Sequence, residues 1–194
     1  MTPLLAKIVF CLLAVLWYVN RLPHERRSGR TPVSLNSRDL RETILLTISL
    51  SGLGLIPFLY VATGFPAAAE RPFLPALAWL GLLAAIGSLV MFRLTHQALG
   101  RNWSVSLQVR ENHRLIQSGV YARVRHPMYT AFWLWAVAQA LLLPNWVAGL
   151  AGLAGFGTLY AFRIGREERM MLDAFGEEYR AYSARTARLI PWVY

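Results

Sequence analysis

The amino-acid sequence predicts an all-α integral membrane protein with five transmembrane helices, and three observations support this fold class. Hydrophobic residues make up 56% of the 194 positions and charged residues only 15%, against about 45–50% and about 25% in soluble domains. The mean hydropathy is +0.39. Long apolar runs alternate with clusters of arginine, as they do in multi-pass membrane proteins.

The first three helices are predicted from apolar runs at residues 3–18, 44–64 and 74–92. The first run could also be a signal peptide. However, Lys7 is its only early charge, no small-residue cleavage site follows it, and basic residues come after it. These features are typical of a retained helix.

The last apolar stretch, residues 128–162, is too long for one span. As a single helix its 35 residues would extend about 52 Å at about 1.5 Å per residue, whereas the hydrocarbon core is about 30 Å thick. Pro144 and Asn145 interrupt the run with a turn signal. We therefore predict a helical hairpin, which brings the number of helices to five.

The positions of the arginines predict the topology. Nineteen of the 20 basic residues are arginines, and 17 of the 20 fall in segment 20–42, in segment 99–127 or in the tail after residue 162. Cytoplasmic loops of membrane proteins carry such an excess of basic residues. Five helices place all three segments in the cytoplasm with the N-terminus outside, whereas four would place the tail outside.

The cytoplasmic segments are predicted to differ in structure. Segment 20–42 has no helical period and is expected to be a connector that becomes helical near Ser37. Residues 103–117 alternate between apolar and polar side chains, which predicts a short β-hairpin. Residues 165–183 carry methionine and aromatic residues at nearly helical spacing, which indicates a helix at the membrane surface.

Several functions are disfavoured by the sequence. The net charge of +10 suggests nucleic-acid binding, but no such motif accompanies the arginines, which follow the membrane boundaries instead. Cys11 is the single cysteine, so the chain can form neither an internal disulfide nor a cysteine-rich zinc site. The four histidines are too scattered to predict a metal site. We therefore expect neither nucleic acid nor metal as a partner.

The predicted hairpin brings titratable residues together at its open end. Reflection about the turn places His126 level with Arg163, beside Arg125, Glu167 and Glu168. Ionisable groups at this depth are costly unless they are paired or solvated. The group could be an interfacial salt-bridge cluster, but the whole set favours a polar binding site.

Two further residues in front of the hairpin have local consequences. Pro127 suits the first turn of a helix, because its missing N–H would have no partner there. His126 then lies at the N-terminal cap, where backbone amides can bind an anion or a polar ligand. Gly119 permits a positive φ or a close backbone approach.

Three segments of the chain resemble one known family. Residues 119–129, GVYARVRHPMY, resemble the G-x-Y-x-x-V-R-H-P-x-Y segment of the isoprenylcysteine carboxyl methyltransferases, whose wider group includes phospholipid methyltransferases. Residues 99–104 resemble the segment that opens the family's catalytic region, and residues 167–191 resemble its C-terminal signature. The resemblance covers about residues 95–191. The chain length predicts one membrane domain over residues 1–194, with helices one to three in 1–94, and the resemblance implies that 95–194 is the catalytic, cofactor-binding half.

The resemblance also implies an activity and a set of site residues. Family members bind S-adenosylmethionine in a cytoplasm-facing pocket without a Rossmann fold and methylate the carboxylate of a prenylcysteine-like lipid. Glu167 would accept hydrogen bonds from the ribose hydroxyls, and Arg163 would orient the substrate carboxylate. The residues implied as catalytic are Arg163, Tyr129 and Trp103. Those implied as cofactor-binding are His113, Leu115, Gly119, Val120, Tyr121, Arg125, His126, Pro127, Tyr129, Trp135, Glu167 and Glu168.

Three alternatives stay open from the sequence. The methyl acceptor could be a phospholipid amine or a small thiol, although an ammonium acceptor needs a base and the sequence offers no obvious one. The protein could instead be an NADPH-dependent membrane reductase, because sterol reductases of that kind are similar to this family in their C-terminal halves. A non-enzymatic membrane scaffold would leave the polar cluster without a purpose. For the leading interpretation we expect a lipid-like or prenylated substrate and contact with membrane lipids.

Overall fold

The computed structural model describes the backbone of residues 1–28, 33–36, 39–99, 108–110 and 115–193, and the side chains of 1–23, 39–99 and 115–193. Helices dominate the described residues, as predicted. They are α1 (Pro3–Ser28), α2 (Leu40–Leu50), a π-helical turn (Ser51–Leu55) that continues into α3 (Ile56–Thr63), α4 (Pro75–Leu99), α5 (Pro127–Leu142) and α6 (Trp146–Arg185). Short 3-10 turns occupy Ala67–Ala69 and Gly119–Ala122.

Four stretches of the described residues are long and apolar enough to cross a membrane: Pro3–Pro23, Leu40–Thr63, Pro75–Leu99 and Trp146–Arg185. They support an integral multi-pass membrane protein. The predicted count of five spans is not confirmed, because α5 has 16 residues and is therefore only about 24 Å long. A span of the usual bilayer takes about 20 residues.

The predicted turn between the last two helices is confirmed. Helix α5 ends at Leu142, and α6 begins at Trp146. Asn145 caps α6, since its side-chain oxygen accepts from the backbone N–H of Ala148 at 2.9 Å. The Asn145 amide also donates to the carbonyl of Pro66 at 2.8 Å, which ties the turn to the loop before α4.

Small residues allow α2 and α6 to touch at backbone distance. A Cβ added to Gly155 would lie 2.7 Å from the carbonyl oxygen of Ile48, closer than side-chain atoms normally approach. The buried side-chain amide of Gln139 in α5 donates to the carbonyls of Gly52 at 3.0 Å and Ala148 at 2.6 Å, and it thereby joins the π-helical turn to α6. Close approach of this kind is typical of helices that pack inside membranes.

The segments outside the bundle differ from the predictions in two ways. Helix α1 continues to Ser28, so the first part of segment 20–42 is helical rather than a connector. A strand β1 (Val33–Asn36) follows, and it pairs antiparallel with β2 (Gln108–Arg110). The predicted hairpin within 103–117 is not confirmed: the described strand takes its partner from the first connector, and residues 103–107 and 111–114 lie outside the described residues.

The C-terminal helix is present but continuous with α6. The helical conformation breaks only at Gly176, where φ is 52° and ψ is −125°. Beyond the helix the chain turns back, and the backbone N–H groups of Arg125 and His126 donate to the carbonyls of Ala187 and Arg188 at 2.8 and 3.1 Å. The C-terminal tail therefore holds the loop that leads into α5.

Candidate active site

The open end of the α5–α6 hairpin carries a buried polar cluster centred on His126. The side chain of His126 is 7% exposed. Its Nε2 lies 3.1 Å from Oε1 of Glu168, and its Nδ1 lies 3.8 Å from Oε1 of Glu167. One imidazole is thus placed between two consecutive carboxylates of α6.

Local backbone geometry aims His126 at these carboxylates. Gly119 has φ +62° and begins the 3-10 turn that precedes the loop. Pro127 occupies the first helical position of α5, as predicted. A residue before proline is disfavoured in the helical region, and His126 has φ −123° and ψ 59°. The sharp entry into α5 turns the imidazole toward α6.

Tyr129 extends the cluster one turn along α5. Its hydroxyl donates to Oε2 of Glu167, and its ring stacks on His126 with 5.6 Å between centroids. The edge of Tyr160 in α6 meets the same ring at 5.6 Å. Tyr129 and Tyr160 are therefore level, in the register that the position of the turn implied.

Glu168 is held by three cationic side chains. Arg125 Nε and His126 Nε2 lie 3.2 and 3.1 Å from its Oε1. Arg188 Nη2 lies 2.9 Å from its Oε2. Arg125 also donates to the carbonyls of Ser183, at 2.9 Å, and Thr186. Glu168 thus links α6 to the loop before α5 and to the C-terminal tail.

The electrostatic setting favours a protonated His126 and a neutral Tyr121. Burial alone would lower the pKa of His126, but its contacts with the Glu167 and Glu168 carboxylates outweigh this effect and raise the pKa above 6.5. Burial raises the pKa of Tyr121, and the negative charge on Glu167 raises it further. The two carboxylates therefore favour the protonated form of His126.

Arg163 joins the site to α2 through a residue that sequence reasoning missed. Its Nη1 lies 3.3 Å from Oε1 of Glu42, and both side chains are buried. Glu42 lies in the first turn of α2, in the part of segment 20–42 that is predicted to be helical from about Ser37. The available signal was an acidic residue bordering an apolar helix, because such a residue, once buried, needs a cation.

The structure brings most but not all of the predicted residues to this end. Leu115 and Val120 are half-buried before the loop, and the carbonyl of Tyr121 accepts from the Tyr182 hydroxyl at 2.7 Å. Trp135 lies about 9 Å further along α5 than Tyr129, where its ring contacts Phe10 at 5.6 Å. Trp103 and His113 lie outside the described residues.

Comparison with known proteins relates this architecture to one family. The model of the isoprenylcysteine carboxyl methyltransferase (ICMT) family matches residues 79–173. A probable protein-S-isoprenylcysteine O-methyltransferase of Oryza sativa subsp. indica is 28% identical over 167 residues, which are 85% of this chain and 84% of the relative. Protein-S-isoprenylcysteine O-methyltransferase B of Arabidopsis thaliana is 30% identical over 133 residues, with 64% and 68% covered.

A solved structure shares the fold. The structure of the eukaryotic intramembrane Ras methyltransferase ICMT aligns over 100% of this chain and 69% of its own, with a TM-score of 0.64 and 22% identity. The likeness of fold extends beyond the region of the family model to the first three helices. The 30% identity to the Arabidopsis relative, over 68% of that protein, shows that this chain belongs to the isoprenylcysteine carboxyl methyltransferase family.

Proposed function

We propose that this protein transfers a methyl group from S-adenosylmethionine to the carboxylate of a prenylcysteine-like lipid substrate. Methyl transfer follows from membership of the family. The observation that carries the substrate class is the pairing of buried Arg163 with a carboxylate, 3.3 Å away, beside the His126–Glu167–Tyr129 cluster. An arginine buried at this end of a membrane bundle has the charge and shape to bind a second carboxylate.

The residues at the site fit S-adenosylmethionine. Glu167 offers carboxylate oxygens for ribose hydroxyls, next to the aromatic rings of Tyr129 and Tyr160. Among the described residues, the indole N–H of Trp133 and the hydroxyl of Tyr179 are buried without a hydrogen-bond partner. Buried polar atoms are normally paired, and a bound polar ligand would supply partners for them.

The chemistry requires positioning rather than a strong base. When bound, S-adenosylmethionine supplies an electrophilic methyl group, which a carboxylate can accept without first losing a proton at neutral pH. Arg163 would hold that carboxylate through its guanidinium, and the bundle would exclude water. Alignment of two reactants in a dry site can supply a large part of the rate enhancement.

The other residues have supporting roles in this proposal. Glu167 binds the ribose, and the hydroxyl of Tyr129 fixes the orientation of its carboxylate. The cofactor-facing surface is completed by Leu115, Gly119, Val120, Tyr121, Pro127 and the backbone around His126. Glu168, Arg125 and Arg188 hold this surface in place. Trp103, His113 and Trp135 remain sequence-based candidates.

We also propose that the chain crosses the bilayer five times, with α2 and α3 forming one span, the N-terminus outside and the site in the cytoplasm. The three basic segments support this orientation through the positive-inside rule. Helix α5, with 16 residues, can cross if the bilayer thins locally or the flanking polar residues extend to its surface. A prenyl substrate would then enter from the membrane and the cofactor from the cytoplasm.

Ligand titration tests the cofactor. In calorimetry on detergent-purified protein, S-adenosylhomocysteine is expected to bind at micromolar concentration and NADPH not to bind. Glu167→Ala is expected to weaken S-adenosylhomocysteine at least ~10-fold, the scale of a charge-assisted hydrogen bond. The matched control is Glu177→Ala on the same helix, because Glu177 is exposed and pairs only locally with Arg180. Binding of NADPH instead would replace this proposal with a reductase.

A further inference from the structure

Two ion pairs join α2 to α6, and they differ sharply in burial. The outer pair is Asp39–Arg166 at 3.2 Å, with side chains 51% and 31% exposed. The inner pair is Glu42–Arg163 at 3.3 Å, with side chains 2% and 9% exposed. Each partner of the inner pair lies three residues from its outer counterpart, so the two contacts are a matched set on the same helix faces.

A structural tie alone does not account for burying the inner pair. Removing two charges from water costs free energy that their mutual attraction recovers only in part. The outer pair already connects the same two helices without that cost. The buried carboxylate of Glu42 therefore calls for an explanation in terms of Arg163, the residue that it contacts.

Arg163 has a second carboxylate within reach on its own helix. Glu167 follows it at i+4, the spacing at which opposite charges meet on a helix surface. Glu167 already accepts from the Tyr129 hydroxyl and lies 3.8 Å from Nδ1 of His126. The carboxylate that holds Arg163 decides where its long, flexible side chain points.

We infer that Glu42 is a positioning residue for the acceptor: it holds Arg163 toward α2 and away from Glu167. This inference rests on the proposed function. A guanidinium carries five N–H donors, so it can contact Glu42 and a substrate carboxylate at the same time. With Arg163 held by Glu42, Glu167 serves the cofactor and the guanidinium serves the acceptor.

The test compares Glu42→Gln, which removes the charge, with Glu42→Asp, which keeps it, and with Asp39→Asn at the outer pair. Asparagine also caps helices, so the last variant should preserve the start of α2. Initial rates of methyl transfer to N-acetyl-S-farnesylcysteine give KM and kcat. Rates are normalised to the number of sites that bind S-adenosylhomocysteine in calorimetry, so a misfolded fraction does not enter them.

Glu42→Gln is expected to raise the acceptor KM at least ~10-fold, the scale of a lost charge-assisted contact, with a smaller effect on kcat. Glu42→Asp should recover most of the increase, and Asp39→Asn should stay within about twofold, as an exposed pair predicts. A KM for Glu42→Gln within twofold of the wild type, or below it, would overturn the inference; a lower KM would mean that Glu42 competes with the acceptor. If wild-type protein binds no S-adenosylhomocysteine or methylates no prenylcysteine, the proposed function fails and this inference fails with it.

Discussion

The two ends of the α5–α6 hairpin use polar residues for different purposes. At the turn, the guanidinium of Arg71 donates to the backbone carbonyls of Ala140 and Leu143, and the side chain of Asn145 caps α6 and holds Pro66. These groups satisfy helix ends that would otherwise lack partners. At the open end, Arg163 contacts a carboxylate instead.

This difference separates structural polarity from polarity that can perform chemistry. Carbonyl oxygens at a helix end are neutral and fixed in position. The hydrogen bonds that an arginine donates to them are therefore part of the fold. The open end instead gathers charged side chains that contact one another, among them Glu167, Glu168 and Arg125. A ligand can exchange with such groups, and it cannot exchange with a helix terminus without unfolding it.

Replacing Arg163 at the open end and Arg71 at the turn should distinguish a role in catalysis from a role in stability. Arg163→Ala has the largest expected effect. Arg163→Ala is expected to lower kcat/KM for a prenylcysteine at least ~100-fold, the scale on which lost positioning is felt. S-adenosylhomocysteine should still bind, since Glu167 remains. The measurement is initial-rate methyl transfer together with calorimetry. Near-normal turnover would remove Arg163 from the carboxylate site.

The control for this prediction is Arg71→Ala at the turn. That variant should lower the melting temperature, because the C-terminal carbonyls of α5 lose their cap. Its kcat/KM per folded site should stay within a fewfold of wild type. Equal catalytic losses in Arg71→Ala and Arg163→Ala would mean that the two ends do not differ in the way proposed here.

The same comparison explains what the sequence could predict. The turn at Pro144–Asn145 sets the register of the hairpin, and register alone brings Tyr129 beside Tyr160 and His126 beside the two glutamates. These contacts are local once the turn is placed, so periodicity and length were sufficient to predict them.

Contacts with distant segments were not predictable by these means. Glu42 comes from α2, far from Arg163 in sequence, and no spacing rule connects the two. Strand β2 was visible as an alternating pattern, but its partner β1 was not. Arg188 reaches Glu168 only because the C-terminal tail folds back along the loop. The predicted count of five spans was not confirmed. The composition shows that α5 is apolar, but it does not establish that a helix of 16 residues crosses the bilayer.

Between the two ends of the hairpin, the effect of a substitution on stability is expected to depend on side-chain size and not on charge. Gly155→Ala adds a Cβ that would lie 2.7 Å from the carbonyl oxygen of Ile48, and overpacking of this kind costs about 1–3 kcal/mol. The matched control is Gly165→Ala on the same helix, where a Cβ meets nothing within 4 Å. Alanine there should be neutral or stabilising by up to about 1 kcal/mol.

Thermal unfolding in one detergent measures both glycine variants. Gly155→Ala should melt below the wild type and Gly165→Ala at or above it. The opposite order would contradict the close packing of α2 on α6. Since neither substitution changes a charge, the comparison isolates packing from the electrostatics of the open end.

The smallest expected effect is a pH dependence that arises at the open end. Because the pKa of His126 is raised above 6.5 in the folded protein, folding favours the protonated imidazole between the carboxylates. The sign follows from linkage: this stabilisation is fully present below the unfolded pKa and is lost as pH rises through the folded value. The melting temperature should therefore fall as pH increases above about 6.5.

His126→Gln should flatten that slope, whereas Arg71→Ala should lower the melting temperature without changing its pH dependence. An unchanged slope in His126→Gln would show that the imidazole is neutral between Glu167 and Glu168, and the open end would then hold one cation fewer than the geometry indicates.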